Sequence, residues 1–474
     1  MPHMPASVPL LAICVALSPL LLPAPARADG DGEQAAPPRP GLTLYEDGGW
    51  AVDADLAAGF GLFSVSDARF GSGVVANNST GRRRSPTWAE GYVKPGLSVR
   101  YESTGWGTPY ATLAVIGSTT QGDGDAVATT PTQLTHGGVS HGDLERAALG
   151  WRSGDLLAQK DAVDLSFGRQ DFVLGDGFLI ADGNLDMGRE GAYWFGPRSA
   201  WLNSAIGRLT WDPLHADLFW LKSDPDTGGM SLAGANVEAR APGVGTVGFA
   251  LIRAGHDNPT GSGRYGSDGV SSLREGMQVF DLRVQGTPIP GLPDLALSGE
   301  GVIERNDGTG RRLAAEGWYA EAGYTFSALR GKPALSYRYA HFSGDDPATA
   351  DRSESFDSLR YGMTRGWGSY FHGEVAGQYF LFNSNENLHM VHATVNPTDD
   401  LQLGAIYYDF SLDRVAAGES RDFGREIDLH ADWTATPWLT VSGVYGVLLP
   451  GEYAKTAYGS DATQVVEMIS SVKF

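Results

Sequence analysis

The chain reads as an all-β protein, a transmembrane antiparallel β-barrel of about 18 strands, and three features predict it. Segments of about ten residues alternate apolar and polar at period two, the length a tilted strand needs to cross bilayer hydrocarbon. Short Pro/Gly turns alternate with long polar connections. The last segment ends in Phe474 with Val472, Ser470, Met468 and Val466 on one face, as a closing strand would.

Composition narrows the compartment and the partners. The 474 residues carry a formal charge of −21, with 42% hydrophobic residues. The longest basic run is Arg82-Arg83-Arg84, so an acidic chain of this kind repels phosphate and nucleic acid is not expected as a partner. Val8 to Leu22 is almost wholly apolar and leads into Pro23-Ala24-Pro25-Ala26-Arg27-Ala28, a cleavable export signal expected to be cut after Ala28. The lone cysteine, Cys14, leaves with it. Residues 1–28 are thus a signal peptide, 29–49 a short periplasmic segment, and 50–474 a barrel in the outer membrane of a Gram-negative bacterium. After the signal no run of 18 apolar residues occurs, so a spanning helix is excluded.

The strands show most clearly in the second half. In Trp318 to Phe326 the even positions Trp318, Ala320, Ala322, Tyr324 and Phe326 are apolar, against Tyr319, Glu321, Gly323 and Thr325. Phe371, Val375, Tyr379 and Leu381 stand in the same way against His372, Glu374 and Gln378, and Ile427, Leu429, Ala431 and Trp433 against Glu426, Asp428, His430 and Asp432. Short turns fall at Trp211 to Pro213, Ala241 to Gly243, Ile289 to Asp294, Ala328 to Pro333, Asn396 to Asp400 and Thr434 to Pro437. Between them lie Thr119 to Asp143, Ala254 to Arg274, Gly344 to Ser355, Asp413 to Asp422 and Pro450 to Asp461. Short on one side and long on the other is the outer-membrane pattern. Aromatic residues at strand ends, Trp318 and Phe326, Tyr407 with Tyr408 and Phe410, Trp433 with Trp438, predict interface girdles. About 20 segments alternate from Trp50 onward, the weakest being Leu144 to Trp151, Ala162 to Arg169 and Phe356 to Met363; 18 strands are expected, with 16 or 20 open.

A barrel of this girth cannot fill its lumen with strand side chains alone, so a water-filled path and transport are implied unless loops fold inward. Asp171 to Arg198 is the inward candidate, because a solvated loop has no need of Phe172, Leu179, Ile180, Trp194 and Phe195. Another strand together with an outer loop with aromatic contacts is the other reading of that stretch.

Several fragments, taken in order, resemble the outer-membrane alginate export porins: Gly168-Arg169-Gln170 leading into Gly175-Asp176-Gly177; Trp367-Gly368, Gly373-Glu374 and Asn383-Ser384-Asn385; then Gly424 to Leu429, Thr436-Pro437 and Pro450-Gly451. The resemblance implies an 18-stranded monomeric barrel that exports an anionic exopolysaccharide through an arginine-lined constriction, with inward loops and a periplasmic turn restricting access. Fixed guanidinium groups lower the energy of a carboxylated sugar in a pore, and interspersed carboxylates keep release fast. The candidate pore-lining residues are Arg169, Arg189, Arg198, Arg338, Arg360 and Arg425, with Glu374, Glu426 and Asp428 among the carboxylates; Arg338 and Arg425 are the best placed. A structural arginine in a charge ladder is the competing reading of each. Glu300, Glu304, Glu321 and Asp432 add acid to the lumen, which leaves a less charged polysaccharide or small-solute diffusion open.

No catalytic or metal-binding array accompanies this. His141, His372, His389, His392 and His430 form no motif, so an enzyme is not expected, nor is a cofactor. Asp123-Gly-Asp125 and Asp345-Asp346 are acidic enough for Ca2+ in outer loops but supply too few oxygens. Membrane lipid, the transported polysaccharide or solute, and periplasmic export proteins are the expected partners.

Overall fold

The computed structural model describes residues 41–75, 82–124, 138–184, 190–224, 229–255, 273–307, 311–362 and 372–474. Eighteen antiparallel strands close a barrel: β1 Trp50–Ser66, β2 Thr87–Tyr101, β3 Thr108–Gly122, β4 Val139–Arg152, β5 Val163–Gln170, β6 Trp201–Trp211, β7 Leu214–Lys222, β8 Ser231–Ala241, β9 Gly245–Ala254, β10 Gln278–Gly286, β11 Leu295–Asn306, β12 Arg312–Thr325, β13 Ala334–Phe342, β14 Glu386–Thr398, β15 Leu401–Leu412, β16 Asp422–Thr436, β17 Leu439–Pro450 and β18 Thr463–Lys473. Each pairs with the next, and β18 returns to β1 in the register Ala57↔Lys473 to Ser66↔Gln464. Closure leaves no lateral edge in the ring. Where β18 ends, Leu42–Asp47 takes its place beside β1, and the Phe474 N–H donates to the Leu56 carbonyl at 2.9 Å. A strand therefore lies within the segment expected only as a short periplasmic lead.

The first two weak segments are true strands: Leu144 to Trp151 lies within β4, and Ala162 to Arg169 coincides with β5 from Val163 onward. Two others are not. Gly373–Gly377 is a π-helical turn, and 356–362 is irregular apart from a bridge at Arg360; both lie in the loop between β13 and β14. Phe371 and Met363 lie outside the described residues.

Period two places the side chains as read. Along β12, Leu313, Ala315 and Tyr319 point inward and are buried, while Trp318 and Ala320 point outward. The outward faces form an apolar belt that includes Leu149, Phe167, Leu218, Phe249, Leu282, Val466 and Met468. Rings gather on it near the short turns, with Trp50 against Tyr101 (4.9 Å between centroids) and Trp438 stacked on Phe474 (5.4 Å). Tyr408 and Phe410 are an exception to the girdle reading: both point inward and are fully buried. Leu218, 68% exposed at the middle of β7, faces outward. Leu218→Arg is expected to destabilise the barrel in lipid vesicles by about 2–4 kcal/mol, measured by urea unfolding; an unchanged midpoint would place this face away from hydrocarbon.

The turns at 212–213, 242–244, 399–400 and 437–438 are among those at one end, and most connections at the opposite end are longer, although 307–311 there is shorter than 153–162 at the turn end. The half of the lumen nearer the long loops buries an apolar cluster that includes Phe63, Val65, Trp88, Ile206, Phe219, Leu221, Val279, Phe342, Tyr408 and Leu448, interspersed with the carboxylates Glu90, Glu304, Glu386, Glu426 and Glu467. The half nearer the turns is charged.

Candidate functional site

Among the described residues two long loops, together with Ala68, Phe70 and Val74 of the β1–β2 connection, fill the half of the lumen that holds the apolar cluster. In the first, between β5 and β6, Phe172, Leu174, Phe178, Leu179, Ile180, Trp194 and Phe195 are all buried, in line with the inward of the two readings of this stretch. It is pinned to the wall: the Trp194 N–H donates to Glu90 Oε2 (2.8 Å), the Ala192 N–H to Thr120 Oγ1 (2.8 Å), and the Tyr319 hydroxyl of β12 to Asp176 Oδ2 (2.9 Å). The second loop, between β13 and β14, meets it along a backbone seam. The Arg360 N–H donates to the Leu179 carbonyl (3.0 Å), the Ala181 N–H to the Arg360 carbonyl (2.7 Å) and the Gly362 N–H to the Gly177 carbonyl (2.9 Å). Gly177 has φ +91°, and a Cβ there would stand 2.1 Å from the Gly362 oxygen, so only glycine fits this seam.

The second loop is latched by carboxylates of β16. Glu426 accepts the Val375 and Ala376 N–H groups at 2.6 and 2.7 Å, and Asp428 accepts the Glu374 N–H at 3.1 Å. Each of these bonds satisfies a buried backbone donor of the turn that would otherwise go without an acceptor. Near the same loop His372 Nε2 lies 2.8 Å from Glu386 Oε1 of β14. Glu374, Glu426 and Asp428 are all buried; Glu374 sits on the plug itself, not on the wall.

Toward the short turns the lumen carries an arc of arginines on alternate strands: Arg100 on β2, Arg146 and Arg152 on β4, Arg208 on β6 and Arg240 on β8. Each meets a carboxylate. Arg100 pairs with Asp53, Arg146 with Asp55 (2.7 Å), Arg152 with Asp164 (3.3 Å), Arg208 with Asp217 (3.7 Å) and Arg240 with Glu238 (3.3 Å). Arg146 reaches across Gly96, where a Cβ would stand 2.4 Å from its Nη2. In four of the five pairs the guanidinium is the more exposed partner, as with Arg152 at 44% against Asp164 at 17% and Arg208 at 33% against Asp217 at 8%. Water in the bore therefore meets cationic N–H groups with their counter-charges beneath them. None of these five was singled out from sequence, although the alternation Ser98, Arg100 against Leu97, Val99 already points Arg100 inward.

The residues that were singled out lie elsewhere. Arg338 is inward on β13 but fully buried, with Nη2 2.7 Å from Glu321 Oε2 and its guanidinium 5.4 Å from the Tyr319 ring centre. Arg360 is buried in the seam and donates to Ser223 Oγ (2.8 Å). Arg198 is buried between Asp143 (2.9 Å) and Glu190 (2.6 Å), and Arg169 is buried at a β5 bulge, in the electrostatic field of Asp143 and Glu145. Arg425 departs from the expected pore position. It is outward on β16 with Ile427, 52% exposed, and pairs with Asp409 at 3.2 Å. Arg189 lies outside the described residues, as does Asp125; Asp123 and Asp345 are paired with Arg83 (3.0 Å) and Arg311 (2.9 Å).

The fold is similar to solved porins. OccK11 (OpdR) of Pseudomonas aeruginosa aligns with 89% of this chain and 96% of its own at 12% identity and a TM-score of 0.51. OccK2 (OpdF) of the same organism covers 89% and 97% at 14% identity, TM-score 0.52. A BenF-like porin from Pseudomonas fluorescens Pf-5 covers 89% and 98% at 12% identity, TM-score 0.55. At these identities the likeness is one of fold. No curated protein matches the sequence. The family model described as alginate export matches residues 267–467, which run from the loop before β10 to β18 and include the latch. Residues 267–467 thus match the alginate export family model, and the barrel that they help to close has the fold of outer-membrane porins.

Proposed function

We propose that the barrel passes an anionic exopolysaccharide, a polyuronate of the alginate type, across the outer membrane, and that the arc Arg100, Arg146, Arg152, Arg208 and Arg240 is its selective surface. The observation that carries this is the order of exposure in four of the five pairs, all but Arg146–Asp55: guanidinium groups outermost, carboxylates behind. A sugar carboxylate approaching such an arc exchanges water for charge-assisted hydrogen bonds, while the carboxylates behind keep each contact weak enough to release. The chain is processed after Ala28 and works as a monomer, with no cofactor; the gradient or a periplasmic partner sets direction.

Planar-bilayer recording tests the reading. Uronic-acid polymer is expected to block the current where neutral glucan does not, and an Arg208→Ala, Arg240→Ala double variant to need roughly tenfold more polymer, the loss of about 1.4 kcal/mol of binding. A large current insensitive to both polymers would favour a small-solute diffusion porin instead.

A further inference from the structure

Opposite the arginine arc, the lumen holds a chain of polar groups that neither the plug nor the arc uses. His430 of β16 lies across β15 toward His392 of β14, and the two Nε2 atoms are 3.1 Å apart. Gly404 of β15 makes the crossing possible, since a Cβ there would stand 1.9 Å from His430 Nε2. Behind His430, Nδ1 meets Asp432 Oδ2 at 2.7 Å, and Ser442 Oγ donates to Asp432 Oδ1 at 2.6 Å. His430 and Asp432 are buried, while His392 is only partly so. The carboxylate fixes the proton of neutral His430 on Nδ1, which leaves its Nε2 lone pair directed at His392.

We propose that His392 and His430 are the protein ligands of a zinc or copper(II) site in the lumen, and that an ion held there obstructs the path. Tetrahedral Zn2+ with bonds of about 2.0–2.1 Å sets two ligand nitrogens about 3.3 Å apart, close to the separation observed. Imidazole suits both metals. An Asp432-type carboxylate behind a ligating histidine orients the ring and raises its basicity. The ion takes the place of the proton that the two Nε2 atoms share; His392 then carries its proton on Nδ1, a change of tautomer that conserves the neutral ring. Water completes the coordination, and the open side of His392 admits it. The site is independent of what the channel carries.

Two measurements on the full barrel test it. With Cu2+ added to the detergent-solubilised protein, electron paramagnetic resonance is expected to show hyperfine splitting from two equatorial nitrogens. His392→Gln, which keeps an amide in place of the ring, and His430→Gln should each remove one. Asp432→Asn, as a positioning change, should weaken Cu2+ binding 10- to 100-fold while leaving both nitrogens in the spectrum. In planar bilayers, micromolar ZnCl2 should lower the wild-type current, and His392→Gln should shift the midpoint of that block at least tenfold. Spectra unchanged in the histidine variants, or the same Zn2+ midpoint in wild type and His392→Gln, would overturn the site. Two-nitrogen binding with no fall in current would overturn the obstruction.

Discussion

Single-channel current through a Glu426→Ala barrel is expected to be larger and noisier than through the wild type. The Glu426 carboxylate is the acceptor for two successive N–H groups of the plug, those of Val375 and Ala376. Both are buried, so removing the acceptor leaves two donors without compensation at about 1–3 kcal/mol each, or about 2–6 kcal/mol of anchoring in all. The five-residue turn they belong to has little hold of its own, because a π-helical turn is rarely stable without tertiary support. Val375, Ala376, Tyr379 and Leu381 still pack against the lumen wall, so the loop should open in bursts and not fall away. Gly373 gives a second route to the same outcome. Its φ is +88° and a Cβ would meet the Glu426 carboxylate at 2.8 Å, so Gly373→Ala displaces the latch from the other side. Asp428→Ala, which frees one N–H, should have the smaller effect. Equal currents in wild type and Glu426→Ala would mean that the latch does not set the opening.

The strands were legible because a barrel wall imposes period two directly on the sequence: what faces out must be apolar and what faces in need not be. The plug broke that rule in an instructive way. Val375, Tyr379 and Leu381 alternate with Glu374 and Gln378 as a strand would, yet they occupy a segment buried all round. Its apolar side chains pack on the inner wall, and its backbone N–H groups require acceptors from that wall. Local pattern cannot distinguish these cases, since both place every second side chain against something greasy. Tyr408 and Phe410 misled for the converse reason. They are wall residues, but they face the plug and serve as its core.

The arginines show where sequence reading stops. Arg425 alternates with Glu426 and shares its face with Ile427, so its outward position was available from the pattern; its charge and its acidic neighbours pointed the other way. Inwardness alone would have found Arg100, Arg152, Arg208 and Arg240 as readily as Arg338. What separates them is height along the bore. Arg338 lies against Glu321 and the Tyr319 ring and is sealed from water, whereas the other four sit near the short turns, below the plug. Which level of the lumen stays wet depends on where two loops more than a hundred residues apart come together, and no local spacing encodes that. The Gly175-Asp176-Gly177 fragment carried part of the answer, since Asp176 and Gly177 are the points at which the first loop meets β12 and the second loop.

Arg283→Ala should be the most destabilising change in the lumen, lowering the temperature at which the folded band is lost in heat-modifiability electrophoresis. The guanidinium pairs with Asp281, which is buried on the same strand, β10, and Nη2 reaches Asn236 Oδ1 at 2.5 Å and Glu238 Oε1 at 3.3 Å on β8. It lies over Gly248 of β9, where a Cβ would come within 2.7 Å of Nη2, and the first loop rests on it at Gly175, where a Cβ would be 2.6 Å from its Cδ. One side chain thus ties three wall strands together and supports the plug from below. Breaking a buried pair by removing one partner costs about 3–5 kcal/mol, because the remaining carboxylate is left without compensation. If charge is the cause, Arg283→Met combined with Asp281→Asn should recover much of the loss. If support of the first loop is the cause, Arg283→Met alone should do so, since methionine restores the aliphatic stem beneath Gly175 without the charge. Both variants restore the stem beneath Gly175, so the stability that the double variant recovers beyond Arg283→Met alone measures the electrostatic role of the same residue.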